Sequence, residues 1–227
     1  MIAQTKTASG LFEDETLDAL RIRLAPMIAA NAGFDGWSKA ALTMTADQAG
    51  VDRDVAALAF DGGAMAMIEA WFASIDATMH DRLSPETLAG MKIRARITAL
   101  VEARLTALAP HREALRLAQA ILVMPNHAKR AAQLGWQAAD SMWRAAGDIS
   151  VDYNHYTKRA TLGTIYAATL LTFVNDESEN FADTRAFLAR RIEGIMRFEQ
   201  AKGRIVARAD MHFSPSRFLG RLRYRSR

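Results

Sequence analysis

The chain of 227 residues contains no cysteine. That excludes a disulfide framework, a thiol nucleophile and a thiolate metal site, and fits a reducing or redox-indifferent setting. No apolar run approaches the roughly 18 residues a membrane-spanning helix needs. There is no glycine-rich phosphate loop, no His-Glu-x-x-His and no nucleophile elbow. The five histidines, at 80, 111, 127, 155 and 212, are scattered. Asp152-x-x-His155 offers two metal ligands in a turn without an obvious third. No catalytic residue, metal or cofactor is therefore expected, and the chain does not read as an enzyme. Met1 to Asp14 holds one lysine and neither an apolar block nor arginines, which does not fit a signal or transit peptide. A bacterial, cytoplasmic protein is expected.

What is present is alanine, leucine and helical periodicity. Half the residues are hydrophobic, enough for one sizeable core, and no segment alternates with period two. The expected fold is all-α. Glu13 to Asn31 reads as a helix with Leu17, Leu20, Leu24 and Ile28 on one side, ended by Gly33 as C-cap. Trp37 to Ala46, a tight turn at Asp47 to Val51, and Arg53 to Phe60 form helix, turn, helix. Ala64 to Leu83 follows. Ser84-Pro85 is an N-cap with proline in the first turn of a fifth helix running to Leu108. Glu113 to Met124, a helix to about Gly147, Thr157 to Asn175 and Phe181 to about Lys202 complete nine. The domain reading is a flexible start (1–12), a three-helix head (13–62), a helical bundle (63–202) and a basic tail (203–227).

Charge is unevenly placed. From Gly203 to Arg227 there are seven arginines and one aspartate, a net +6, so residues 1–202 carry −2 against the whole-chain +4. In the tail Arg217, Arg221 and Arg225 recur every four residues beside Phe218, Leu219 and Leu222. That pattern makes either an interfacial amphipathic helix on an anionic membrane surface or a disordered basic tail. The Ala46-x-x-Ala49-Gly50-Val51 turn resembles the helix-turn-helix of TetR-type repressors. A major-groove helix needs basic and amide side chains, yet Asp52 to Asp61 has one base against three acids. No nucleic-acid partner is expected, and a TetR-type regulator with a lipophilic ligand stays as the alternative function.

The densest motif runs from Asp140 to Leu162. At about 100° per residue, Leu134, Ala138, Met142 and Ala145 share one face of a helix, and Trp136, Asp140 and Trp143 the opposite one. That helix is either sandwiched between neighbours, or it presents Trp143 with Asp140 and Arg144 as a docking patch. Asp148 and Asp152 suit capping of the following turn, with Lys158 and Arg159 as their ion-pair partners or as solvated side chains. Met124, Leu134, Met142, Ile165, Tyr166, Leu170, Phe173, Leu188, Ile192 and Ile195 form large apolar faces that could be plain core or a pocket lining.

Asp140-x-x-Trp143, Ala146-Gly147-Asp148 and Asp152-x-Asn154-x-Tyr156-Thr157-Lys158-Arg159-Ala160-Thr161-Leu162 resemble the signature of the Coq-nine family of ubiquinone-biosynthesis accessory proteins. The likeness continues through Asn175-Asp176-x-Ser178, Phe181-x-x-Thr184 and Met196-x-Phe198-Glu199, and covers roughly residues 15–202. It implies a TetR-like helical bundle whose pocket binds an isoprenoid quinone intermediate or a phospholipid. The ten apolar residues above are then the pocket candidates. It implies docking through Asp140, Trp143 and Arg144 to a demethoxyubiquinone hydroxylase of the Coq-seven type or another quinone hydroxylase. It further implies a membrane-associating C-terminal helix, peripheral placement at the inner membrane, and a homodimer. Arg144 stands where the family usually has an aromatic, and His155 where it has a tryptophan.

Overall fold

The computed structural model describes residues 16–149 and 153–194. The start, Ile195, Asp152 and the tail residues Arg217, Phe218, Leu219, Arg221, Leu222 and Arg225 lie outside the described residues.

Among the described residues the fold is helical throughout. Helix α1 (Leu17–Asp35) begins at Thr16, whose hydroxyl accepts from the Ala19 amide, and buries Leu20, Leu24 and Ile28. It runs through Pro26 and past Gly33, the C-cap expected from the sequence. The residue that stops it is Gly36, with φ of 70°, a positive φ that glycine adopts without a Cβ penalty. Helix α2 (Lys39–Ala49) is capped by Ser38 and ends at Gly50 in the left-handed region. Helix α3 (Arg53–Ala59) starts at Asp52, whose carboxylate accepts from the Asp54 and Val55 amides.

Helix α4 (Gly63–Arg82) is the axis of the molecule and buries Met67, Ile68, Trp71, Ile75 and Met79. Trp71 stacks on Phe72 at 5.4 Å and meets Trp37 of the head at 5.2 Å. The Trp37 indole donates to the Ala114 carbonyl at 2.9 Å, which fastens the head to the bundle. The fifth expected helix is two: α5 (Pro85–Ala89), capped by Ser84, and α6 (Ile93–Leu108). Arg96 holds the break together, donating to Met91 O, Ala89 O and Ala146 O. Helices α7 (Arg112–Leu122), α8 (Ala128–Ala145) and α9 (Tyr153–Val174) follow, and residues 182–194 are helical.

Helices α8 and α9 cross at small residues. A Cβ on Gly163 would stand 3.2 Å from the Gly135 carbonyl oxygen and 3.8 Å from the Ala139 Cβ. A space opens beside this crossing.

Candidate functional site

That space is a cavity of about 410 Å³ lined from α4, α6, α7, α8 and α9, and Gly135 and Gly163 are part of its wall. Most of the lining is apolar, including Phe72, Leu122, Val123, Leu134, Ala138, Tyr166, Leu170 and Leu171. The size falls within the range that takes a small organic ligand. Val123 and Leu171 are 80% and 59% exposed, so they mark its mouth, and exposed Met124 adjoins Val123 in the chain. Exposed aliphatic side chains at a cavity entrance suit an apolar visitor.

Of the ten pocket candidates, Leu134, Tyr166 and Leu170 line this cavity. Met142, Ile165, Phe173, Leu188 and Ile192 are buried in the packed core and are not part of its wall. Met124 is exposed beside the mouth. Phe173 faces Phe181 at 4.7 Å, under the Arg112 guanidinium.

Sequence reasoning missed the polar end of the cavity, where Arg104, Asp76 and Glu69 join the lining. Arg104 is nearly inaccessible to solvent. Its Nε donates to the Tyr166 hydroxyl at 3.0 Å and its Nη1 to the Asp76 carboxylate. Burial pulls the Arg104 pKa down, but the Tyr166 and Asp76 oxygens outweigh it, and the net direction is upward. The missed signal was positional: Arg104 continues the inward stripe of Ile97, Leu100, Val101 and Leu108 on α6. An arginine on an apolar stripe has to find a buried partner.

The motif around Asp140 forms a second polar cluster. Arg159 is buried and donates to both Asp140 and Asp148. Lys158 Nζ reaches Asp148 Oδ1 at 2.7 Å, and Arg144 pairs with Asp140 at 2.9 Å. Lys158 and Arg159 are thus ion-paired, one of the two expectations left open. Trp143 is half-buried: its indole donates to the Lys158 carbonyl at 3.1 Å and the Lys158 ammonium lies 5.4 Å from its ring centroid. Trp136 meets His155 and Tyr156 at 6.4 and 6.0 Å. The face bearing Trp136, Asp140 and Trp143 therefore packs against the start of α9, and the opposite face of α8 packs on the core. Arg144 is mostly exposed.

The Asn175-to-Thr184 motif joins two helix ends. Arg112 Nη2 donates to the Phe173, Val174 and Asp176 carbonyls, closing the end of α9. The Asp176 carboxylate accepts from the Ser178 and Thr184 amides and from both hydroxyls, at the start of the 182–194 helix. Burial opposes ionisation of Asp176, but these four donors prevail and hold its pKa well below the usual carboxylate range.

Residues 128–199, which carry α8, α9 and the junction after it, match the COQ9 family model. A human protein named "Ubiquinone biosynthesis protein COQ9, mitochondrial" is 41% identical over 96 residues, 42% of this chain and 30% of the human one. The Drosophila melanogaster protein of the same name is 27% identical over 187 residues, 81% of this chain and 57% of its own length. The matched region thus spans less than a third of the human relative and just over half of the fly one. A crystal structure of a TetR transcriptional regulator from Nitrosomonas europaea superposes with a TM-score of 0.60 at 24% identity, covering 79% of this chain and 97% of that one. The resemblance to the Coq-nine family is real, and the fold is TetR-like. No single helix among the described residues is long and apolar enough to cross a membrane.

Proposed function

We propose that this chain is a non-enzymatic accessory protein of ubiquinone biosynthesis, which binds an isoprenoid lipid and presents it to a quinone hydroxylase at a membrane surface. The cavity beneath the α8–α9 crossing carries this reading. It is apolar along most of its wall, opens through Val123 and Leu171, and is built largely from the segment that matches COQ9 proteins. A volume of about 410 Å³ takes a head group and the first isoprene units, and the rest of a long chain leaves through the apolar mouth.

In this mechanism the basic tail, through Arg217, Arg221, Arg225 and the adjoining Phe218, Leu219 and Leu222, rests on anionic headgroups. The protein is then peripheral at the membrane, and the cavity receives a lipid from it. The hydroxylase, of the Coq-seven type or another, meets the α8–α9 surface at Arg144 and the accessible part of Trp143. A homodimer through α9 and the helix after it is supported by likeness to the TetR fold alone. Nucleic acid is not a partner in this reading. Arg53, the single base of α3, is held by Asp47 at 2.7 and 2.8 Å, and Asp52, Asp54 and Asp61 stand exposed around it. A duplex would meet that surface with net repulsion.

Native mass spectrometry of the purified chain with lipid extraction tests the carrier function. An isoprenoid quinone precursor or phospholipid at near one per subunit is expected. Lipid-free protein that fails to take up added quinone would overturn it. In a mobility-shift titration at low salt, tight and steeply salt-dependent duplex binding would favour a TetR-type regulator instead.

A further inference from the structure

One stretch of the cavity wall is held down more lightly than the rest. From Gln119 to Gln137 no residue is buried. The stretch takes in the last turn of α7, the turn at Pro125–His127 and the first half of α8. Val123, Ala131 and Leu134 bring it into the cavity lining. The second half of α8 is different. Ala138, Ala139 and Met142 are buried there. Ser141 donates to Asp76 at 2.7 Å, and the Trp143 indole donates to the Lys158 carbonyl. Burial of an apolar face is what holds most helices in place, so the two halves of α8 differ in how firmly they are fixed.

The change falls at Gly135. Glycine is the weakest helix former after proline. A Cβ on Gly135 would meet nothing within 4 Å, so alanine fits there, and glycine loosens the helix at that point. A single polar tie fixes the lightly held half to the body of the bundle. Arg130 donates through Nε and Nη2 to the two Glu69 carboxylate oxygens of α4, at 2.7 and 3.0 Å. Among the described residues no other side-chain hydrogen bond or ion pair joins residues 123–134 to another element. Arg130 and Glu69 are 49% and 32% exposed, which makes the pair weak and easily opened.

We infer that residues 123–134 are a lid over the cavity, hinged at Gly135 and latched by the Arg130–Glu69 pair. Lifting it draws Val123, Ala131 and Leu134 away from the cavity and widens the mouth beside Leu171, so that a ligand too bulky for the resting opening enters and leaves. The purpose of the lid rests on the carrier reading above. Its motion belongs to the protein without ligand and is measured separately.

Amide hydrogen exchange of the full chain, read by mass spectrometry, tests that motion. The amides of residues 132–136 should exchange about tenfold or more faster than those of 138–145 in the same helix. Arg130→Ala should speed the 132–136 amides about twofold to fivefold further. Gly135→Ala should slow them about threefold to fivefold. Residues 138–145 should be unchanged in both variants. Uniform protection along α8 overturns the lid. An unchanged rate in Arg130→Ala overturns the latch, and an unchanged rate in Gly135→Ala overturns the hinge. Gating is read from the entry of a neutral apolar dye, N-phenyl-1-naphthylamine, followed by stopped-flow fluorescence. In Glu69→Cys with Arg130→Cys, a short bis-maleimide meets no other thiol, because the chain has no cysteine. The bridged protein should take up the dye about tenfold or more slowly than the same variant unbridged, and equal rates overturn the lid as the gate. If the double variant does not fold, Arg130→Ala decides: faster dye entry supports the gate and unchanged entry overturns it. Should no form bind the dye while exchange behaves as expected, the carrier reading falls and the lid stands on the exchange data.

Discussion

Asp140 separates two explanations of the same motif. If it acts only in docking, its removal leaves the isolated protein as stable as before. The structure gives it a second role, because with Asp148 it neutralises Arg159, which is 2% exposed. Asp140→Ala removes one of the two carboxylates from a buried guanidinium. Taking a partner from a buried ion pair costs about 3–5 kcal/mol, and a hydrogen bond to a charged group about 1.5–3 kcal/mol. Because Asp148 stays and Asp140 is 21% exposed, the lower range applies, and about 2–3 kcal/mol is expected. For a chain of this length that is about 5–10 °C in Tm. Arg144→Ala, at a side chain 73% exposed, should cost less than about 0.5 kcal/mol. The assay is urea unfolding followed by tryptophan fluorescence and far-ultraviolet circular dichroism, with unchanged m-values as the condition for comparing midpoints. Adding Arg159→Met to Asp140→Ala should recover part of the loss, because the unmatched cation is gone. If Asp140→Ala unfolds within about 0.5 kcal/mol of the parent, the structural role assigned to Asp140 is wrong.

The Asp176 carboxylate is held ionised by four donors, so its folded pKa lies below the unfolded value. Its stabilising contribution is complete above the unfolded value near 4 and is lost as pH falls below it. Asp176→Asn should cost about 1–2 kcal/mol at pH 7 and flatten the loss of stability between about pH 5 and 3, read from urea midpoints at successive pH values. Ala167→Phe places a ring at the cavity wall from an exposed position, so co-purified lipid should fall several-fold with Tm within a few degrees of the parent. Gly163→Leu drives a side chain into the Gly135 carbonyl and should cost more than about 1 kcal/mol by overpacking, visible as a lower urea midpoint. Reversing Arg217, Arg221 and Arg225 to glutamate should weaken retention on anionic liposomes by about a hundredfold or more, at about 1 kcal/mol per basic residue removed. Equal sedimentation of parent and variant would exclude the tail as the membrane contact.

Much of the helix inventory was legible because it rests on local rules. Ser84-Pro85 and the turn at Gly50 each satisfy or terminate a backbone within a few residues, and a periodic apolar face needs no distant partner to be recognised. Two of the departures among the helices turn on where the backbone bends. Gly33 has the residue type of a C-cap, but the helix runs on through it and stops at Gly36, where φ turns positive. Periodicity carries the fifth helix straight through Gly90 to Lys92, where Arg96 gathers three carbonyls from two parts of the chain to stabilise a break.

The site was less legible. A stripe of leucine, isoleucine and phenylalanine looks the same whether it faces a neighbour or a cavity. Phe173 and Leu188 are packed core, and Leu170, close by on the same helix as Phe173, lines the cavity. By itself the sequence determined an all-helical chain, the Ser84 cap, an acidic α3 and the separation of a basic tail from a mildly acidic remainder, because these depend on residue type and short spacing. Only the tertiary structure decided where the cavity opens, that Arg104, Asp76 and Tyr166 meet at its end, and that Asp140 serves a buried arginine. Those pairings join residues 19 to 62 positions apart, and such contacts follow from how closely helices cross, which at Gly135 and Gly163 is decided by the absence of side chains.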